Sequence, residues 1–236
     1  MIIKTLVVSP FQQNARLILD ELTGKATVVD PGDEIERILA AVDLKRYEIV
    51  SILITHSHID HVGGLAKILR TLAGLGKPKP LVYAHKAESL MRANITTVAS
   101  LYGLSTSLFE NAPEPDQYMD QGDRIKIGSL ESAFLFTPGH SPGHLAVYFE
   151  NPGTVSLLNE AGASLATLHN TPIVFSGDAL FAGSIGRTDL PGGDTETLLK
   201  SIRTHLFTLP PQTRVLSGHG GDSTIDLEKR TNPFFN

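Results

Sequence analysis

Immediately after the run 49–54, the chain places His56, His58, Asp60 and His61, four potential metal donors within six residues. That cluster limits what the chain can fold into more than any other feature. The run before it is uncharged and rich in β-branched residues, so it reads as a buried strand. His56 and His58 are two apart and point to one side of an extended segment. Asp60 and His61 fall where the chain bends toward a helix, so the loop can serve two neighbouring cation positions. Gly63 and Gly64 let the backbone pass close by. One histidine at a strand end is ordinarily a satisfied polar residue. Three of them with an aspartate, beside a buried strand, would be costly to neutralise without a cation.

Three later segments repeat the design. Phe134-Leu135-Phe136 runs into Gly139-His140, Ile173-Val174-Phe175 into Gly177-Asp178, and Val215-Leu216 into Gly218-His219. Each apolar strand delivers one donor, preceded by glycine. Donors at the ends of adjacent strands converge on one sheet edge, where open α/β sheets commonly place their sites.

The rest of the chain supplies the frame. Residues 1–8, 14–19, 25–29, 81–84, 124–127, 130–137, 146–149, 173–176 and 215–217 read as strands. Helices are expected at 34–46, with Asp33 as N-cap, and at 62–72, 86–92 and 195–206, the last preceded by Asp194. Residues 225–236 are expected to pack as a helix, and 102–121 read as loop-rich. The stretch 150–171 reads as a long hairpin loop or surface insertion within one domain spanning 1–236. Strands are too numerous for a helix bundle, and a layered α/β domain follows.

With 41% hydrophobic and 19% charged residues, disorder is excluded. There is no cysteine, hence no disulfide scaffold, thiolate ligand or thiol nucleophile. The net charge is −5 without a basic tract, which argues against a nucleic-acid partner. No run spans a bilayer and no secretory leader is expected, so a cytoplasmic location and no membrane partner follow.

His56-x-His58-x-Asp60-His61 followed in order by His140, Asp178 and His219 resembles the metallo-β-lactamase superfamily. The resemblance implies an αββα sandwich: two mixed β-sheets flanked by helices, with two metals at the sheet edges. It puts His56, His58 and His140 on one ion and Asp60, His61 and His219 on the other. Asp178 would bridge them, and Asp60 and Asp178 are the catalytic carboxylates. Imidazole and carboxylate donors suit two divalent ions, Zn first, then Fe or Mn. Arg187 is either a cationic substrate contact or the partner of Asp189. His144 and Asp30 are candidates for orienting the ligands from outside, Asp30 being equally a turn carboxylate. His85, His169 and His205 read as ordinary surface or packing residues.

The segments 175–189 and 228–234 resemble the glyoxalase II-related hydrolases, in particular the short bacterial type without the extended C-terminal helical domain. This implies cleavage of a small-molecule thioester such as S-lactoylglutathione by a metal-activated hydroxide. The alternative of the same branch is a mono-iron persulfide dioxygenase using His56, His140 and Asp178. A lactonase and a non-catalytic metal scaffold are further alternatives.

Overall fold

The apolar segments assemble into two sheets packed face to face. The computed structural model describes residues 1–106 and 109–235. Strands β1 (Ile2–Val8), β2 (Gln13–Asp20) and β3 (Lys25–Val29) pair antiparallel. Helix α1 (Ile35–Val42) crosses to β4 (Glu48–Leu53), parallel to β3. A single turn, α2 (Ile59–Val62), and α3 (Leu65–Gly74) lead to β5 (Leu81–Ala84). A 3₁₀ turn (Lys86–Glu88), α4 (Ser89–Arg92) and α5 (Ile95–Leu101) precede β6 (Gln117–Tyr118). Next come β7 (Arg124–Ile127), β8 (Leu130–Phe136), β9 (Leu145–Phe149), β10 (Thr154–Asn159), β11 (Ser164–His169) and β12 (Ile173–Gly177). The chain ends with the small hairpin β13 (Leu180–Phe181) and β14 (Ser184–Ile185), α6 (Thr195–Ser201), β15 (Arg214–Ser217), β16 (Ser223–Thr224) and α7 (Ile225–Thr231).

The first sheet has the order β11-β10-β1-β2-β3-β4-β5-β6, and the second β16-β15-β12-β9-β8-β7. Period-two alternation explains the layering. On β2, Leu17 and Leu19 pack toward α1 and α3, while Ile18 faces the other sheet. On β12, Ile173 and Phe175 face the first sheet, and Val174 turns to α6 and α7. Phe134, Phe149 and Phe175 fill the space between the sheets. Burying each such ring contributes on the order of 1.5–3 kcal/mol. The result is the expected αββα sandwich. No helix among the described residues is long and apolar enough to cross a membrane.

Several boundaries differ from the sequence reading. The first helix is shorter than 34–46 and is capped by Glu34, in the left-handed region at φ 53, rather than by Asp33. The Asp33 carboxylate accepts from the Glu34 amide instead. The helix expected at 62–72 is broken at Gly63-Gly64, where the Gly64 amide donates to the Pro31 carbonyl outside the helix; a Cβ on either glycine would run into a backbone carbonyl of Ile59 or Pro31. The stretch 150–171 holds two strands: β10 pairs parallel with β1 and buries Val155 and Leu157 between the sheets. The long-range pairing with β1 leaves no local signal. Within 102–121 the structure adds β6, and residues 107 and 108 of that stretch lie outside those described. Helix α5 had no sequence expectation, since Ile95, Thr96, Thr97 and Val98 are β-branched and weak helix formers. Asp194 caps α6 as expected, accepting from the Thr197 amide at 2.7 Å.

Candidate metal centre

The carboxyl ends of β4, β8, β12 and β15 meet at one edge of the sandwich, and the loops beyond them carry the donors. Helix α2 begins directly after His58, which brings His61 inward beneath Asp60; His61 is fully buried. On the second sheet the register slips between Phe175 and Gly177, which turns Asp178 out of the β12 ladder. Gly177 has φ 48, and a Cβ there would lie 2.6 Å from His144 Nε2, so glycine is required. Gly218 is needed for room: a Cβ would lie 2.2 Å from Asp178 Oδ1.

All seven expected donors come together. His56, His58 and His140 offer nitrogens within 4.8 Å of one another, and so do the donor atoms of Asp60, His61 and His219. Asp178 lies between these groups. Its Oδ1 is 3.2 Å from His61 Nε2, and its Oδ2 is 3.4 Å from His219 Nε2 and 3.6 Å from His140 Nε2. His219 Nε2 is also 3.1 Å from Asp60 Oδ2.

The surrounding hydrogen bonds fix which nitrogens carry lone pairs. The Thr55 hydroxyl donates to Asp30 Oδ2 (2.6 Å), so its oxygen accepts from His56 Nδ1 (3.1 Å). His140 Nδ1 donates to the Arg187 carbonyl at 2.7 Å. In the neutral rings, the Nε2 atoms of His56 and His140 are therefore both acceptors, yet they face each other at 3.1 Å. His58 Nδ1 is 2.8 Å from the same His140 Nε2. Converging lone pairs repel unless a cation lies among them. Ligands of a four-coordinate ion at about 2.0–2.1 Å lie roughly 3.3 Å apart, the spacing seen here. Buried Asp178 Oδ1 has no hydrogen-bond partner, which is costly unless an ion completes it. The residues fit a pair of divalent cations.

The electrostatics agree. Burial and the neighbouring imidazoles hold His56 well below the usual histidine range and His58 at about 3. Burial also lowers His140. Burial opposes charge on His61, but the Asp178 and Asp60 carboxylates outweigh it and raise its pKa well above the usual value. Burial alone would raise Asp178, yet His61 and its neighbours pull it below the usual carboxylate range. The first trio is thus neutral imidazole, and the second favours positive charge. Ligation uses the neutral ring in both trios, so a cation would displace the proton of His61 while the same carboxylates favour the cation's charge.

Asp30, His144 and Arg187 occupy distinct supporting places. Asp30 has φ 52, a region rarely tolerated without glycine. Its carboxylate accepts from the Thr55 amide and hydroxyl and from His61 Nδ1 at 2.9 Å. His144 Nε2 accepts from the Asp178 amide at 3.0 Å, while its Nδ1 donates to Thr137 at 2.8 Å. Arg187 stands at the rim with its guanidinium forked onto Asp189 at 2.7 and 2.8 Å. Its backbone carbonyl, which no side-chain pattern announces, orients His140. Outside the cluster, His85 stacks on Phe136 at 4.7 Å, and His169 is exposed.

Sequence reasoning missed Glu88. It is 1% exposed, and its carboxylate accepts from the Ser57 amide (2.7 Å) and the Gly143 amide (2.6 Å). It joins the His56–His61 loop to the His140–His144 loop. Fully buried Arg92 donates to Ser57 Oγ and the His85 carbonyl beneath it. A Glu and an Arg four apart in a short helix look like a solvated face, and only the fold turns them inward.

The cluster opens into a groove of about 820 Å³ that includes His58, Asp60, His140, Asp178 and His219. Leu90, Met91, Ile95, Val98 and Leu101 of α4 and α5 form one wall, and Phe181, Ile185 and Leu190 line the other.

Known proteins resemble this chain over its whole length. The sequence model of the metallo-beta-lactamase superfamily matches residues 8–156 and 161–219. Hydroxyacylglutathione hydrolase GloC of Haemophilus influenzae is 34% identical, over 100% of this chain and 99% of its own. The crystal structure of TTHA1623 in a di-iron-bound form is 35% identical with a TM-score of 0.76, covering 98% of each chain. That of the BLEG-1 B3 metallo-beta-lactamase is 30% identical with a TM-score of 0.78, covering 99% of each.

Proposed function

The chain belongs to the metallo-β-lactamase superfamily, and from that premise we propose that it is a metal-dependent hydrolase of thioesters, with S-lactoylglutathione as the reference substrate. One observation carries the reading: neutral imidazole lone pairs and ionised carboxylates converge at the floor of an open groove. The likeness to a hydroxyacylglutathione hydrolase supports the thioester.

His56, His58 and His140 would hold one divalent cation, Asp60, His61 and His219 a second, and Asp178 both. Zn, Fe and Mn all suit these donors. Bound there, such ions supply Lewis acidity toward a carbonyl oxygen and bring the pKa of water to about 7. The protein supplies the positioning. Asp30, Thr55 and the Arg187 carbonyl lock the tautomers and ring planes of His61, His56 and His140. Asp60 lines the groove, and its carboxylate would accept a proton leaving the attacking water. The apolar walls exclude bulk water and strengthen the electrostatics of the floor. Free thiols have a pKa of about 8.5, so a thiolate leaves with little protonation. That matches a site in which no dedicated general acid stands over the groove among the described residues.

The deciding experiment loads purified protein with Zn, Fe or Mn, counts ions per chain, and follows thiol release from S-lactoylglutathione. Two ions per chain and metal-dependent thiol release are expected. Silence with every metal overturns the reading. Oxygen uptake with glutathione persulfide at one iron per chain would assign the site to the dioxygenase alternative instead.

A further inference from the structure

The groove is more apolar than a glutathione conjugate requires. Glutathione carries two carboxylates and an ammonium, and a site that holds it needs fixed countercharges. Among the described lining residues, Arg187 is the one guanidinium or ammonium group, and its Nε–Nη2 edge is taken by Asp189, which offsets its charge and leaves one edge for two carboxylates. The wall opposite is mostly hydrocarbon, with Asn94 and Tyr102 its polar members. Leu90 and Leu101 are 80% and 81% exposed, half-buried Met91 and Val98 line the same groove as His58 and Asp60, and buried Ile95 lies at its base. Exposed leucines clustered with further apolar side chains form a patch of the kind that marks a ligand-binding groove. These side chains line the same groove as the donor cluster, so a chain lying along them reaches whatever reacts there.

We infer that the substrate carries a hydrocarbon chain on its thioester, and that α4 and α5 bind that chain. This rests on the thioester reading and deepens it. The wall would select by length, each methylene laid against it raising kcat/KM by up to about fourfold until the groove is filled. S-lactoylglutathione, with a short hydroxylated acyl group and a charged thiol, would then be turned over but poorly retained.

Two substrate series on metal-loaded protein test this. The first is N-acetylcysteamine thioesters from acetyl to decanoyl, and the second acetyl thioesters of alkanethiols of growing length. A rise of at least a hundredfold along the first places the chain on the acyl side; the same rise along the second places it on the thiol side. Either result supports the inference. Leu101→Glu and Leu90→Glu, both at exposed positions, should lower the long-to-short ratio of the rising series tenfold or more. A readout without turnover uses the S-octyl and S-methyl thioethers of N-acetylcysteamine, titrated against the metal-free protein, with at least tenfold tighter binding of the octyl compound expected. Hydrolysis that is flat along both series overturns the inference and leaves the thioester reading standing. Dissociation of a dimer by Leu101→Glu would then assign the wall to a second copy of the chain. No hydrolysis of any thioester removes both.

Discussion

The two sheets deliver their donors to one site by opposite means. The first sheet gives four from a single loop after β4, and their spacing is set by neighbouring residues. The second gives one each from the ends of β8, β12 and β15, and these meet only if three strand pairings hold their register. The local side shares its supports among its donors: Asp30 with Thr55 beneath it, one turn of α2, and Glu88 and Arg92 at Ser57. The assembled side needs a device for every donor. His140 is held by the Arg187 carbonyl, and Asp178 by a register slip and His144. The His219 loop is held by Asn14 and Arg16, which reach from the first sheet to the Ser217 carbonyl at 3.1 Å each. Donors fixed locally tolerate strain elsewhere in the fold, and donors fixed by assembly do not.

Asp178 is where this contrast breaks hardest, because its two carboxylate oxygens reach donors of both groups. Asp178→Ala should leave neither ion retained and lower kcat/KM by on the order of 10³-fold or more. Metal analysis with kinetics checks this, and full occupancy at full rate would remove Asp178 from the bridge. One step down, His58→Ala and His219→Ala each take a donor from one group. Each should retain about one ion per chain and lose on the order of 10²-fold in rate. If the contrast holds, His219→Ala also lowers the unfolding midpoint more, because its loop depends on contacts between the sheets.

Glu88 ties the two kinds of side together, so altering it sharpens the comparison. Glu88→Gln keeps one acceptor and presents an amide N–H₂ to the Ser57 or Gly143 amide, leaving two donors facing each other. Metal affinity should fall about 10- to 100-fold, as for other groups that orient ligands. Competition against a coloured chelator measures it. Equal affinity in the variant would mean that the two loops hold their places independently.

The same contrast explains what the sequence made legible. The donors were readable because the His56–His61 spacing is local and each later donor follows an apolar strand and a glycine. Most strands were readable because their alternation is strong. The stretch 150–171 was read as a long hairpin loop or surface insertion, and its place in the sheet was not legible, since the parallel pairing of β10 with β1 joins segments far apart in the chain. Helix α5 was invisible because packing, not propensity, makes it. Glu88 and Arg92 looked like solvated charges, and their burial is a property of the finished fold. The apolar groove wall shared that fate, since most of it belongs to α5.

Asp20 gives the smallest expected effect, at a second junction between the sheets. It ends β2, and its Oδ2 accepts from Thr23 Oγ1 (2.6 Å) and from the Ser129 amide (2.7 Å) in the turn between β7 and β8; Oδ1 accepts from the Leu22 amide (3.0 Å). Burial alone would raise its pKa, but these hydrogen bonds outweigh it and hold the group at about 2. An unfolded aspartate titrates near ~3.9. The folded pKa is the lower, so the ionised group stabilises the fold above the unfolded value, and that contribution is lost as pH falls through about 2. Asp20→Asn should therefore cost about 2 kcal/mol near neutral pH. The gap between variant and parent should close as pH drops from roughly 4 to 2. Paired urea titrations at several pH values read this gap directly, with the other carboxylates cancelling between the two proteins. A gap independent of pH would mean that the Asp20 side chain joins the sheets by shape and neutral hydrogen bonds, with no contribution from its charge.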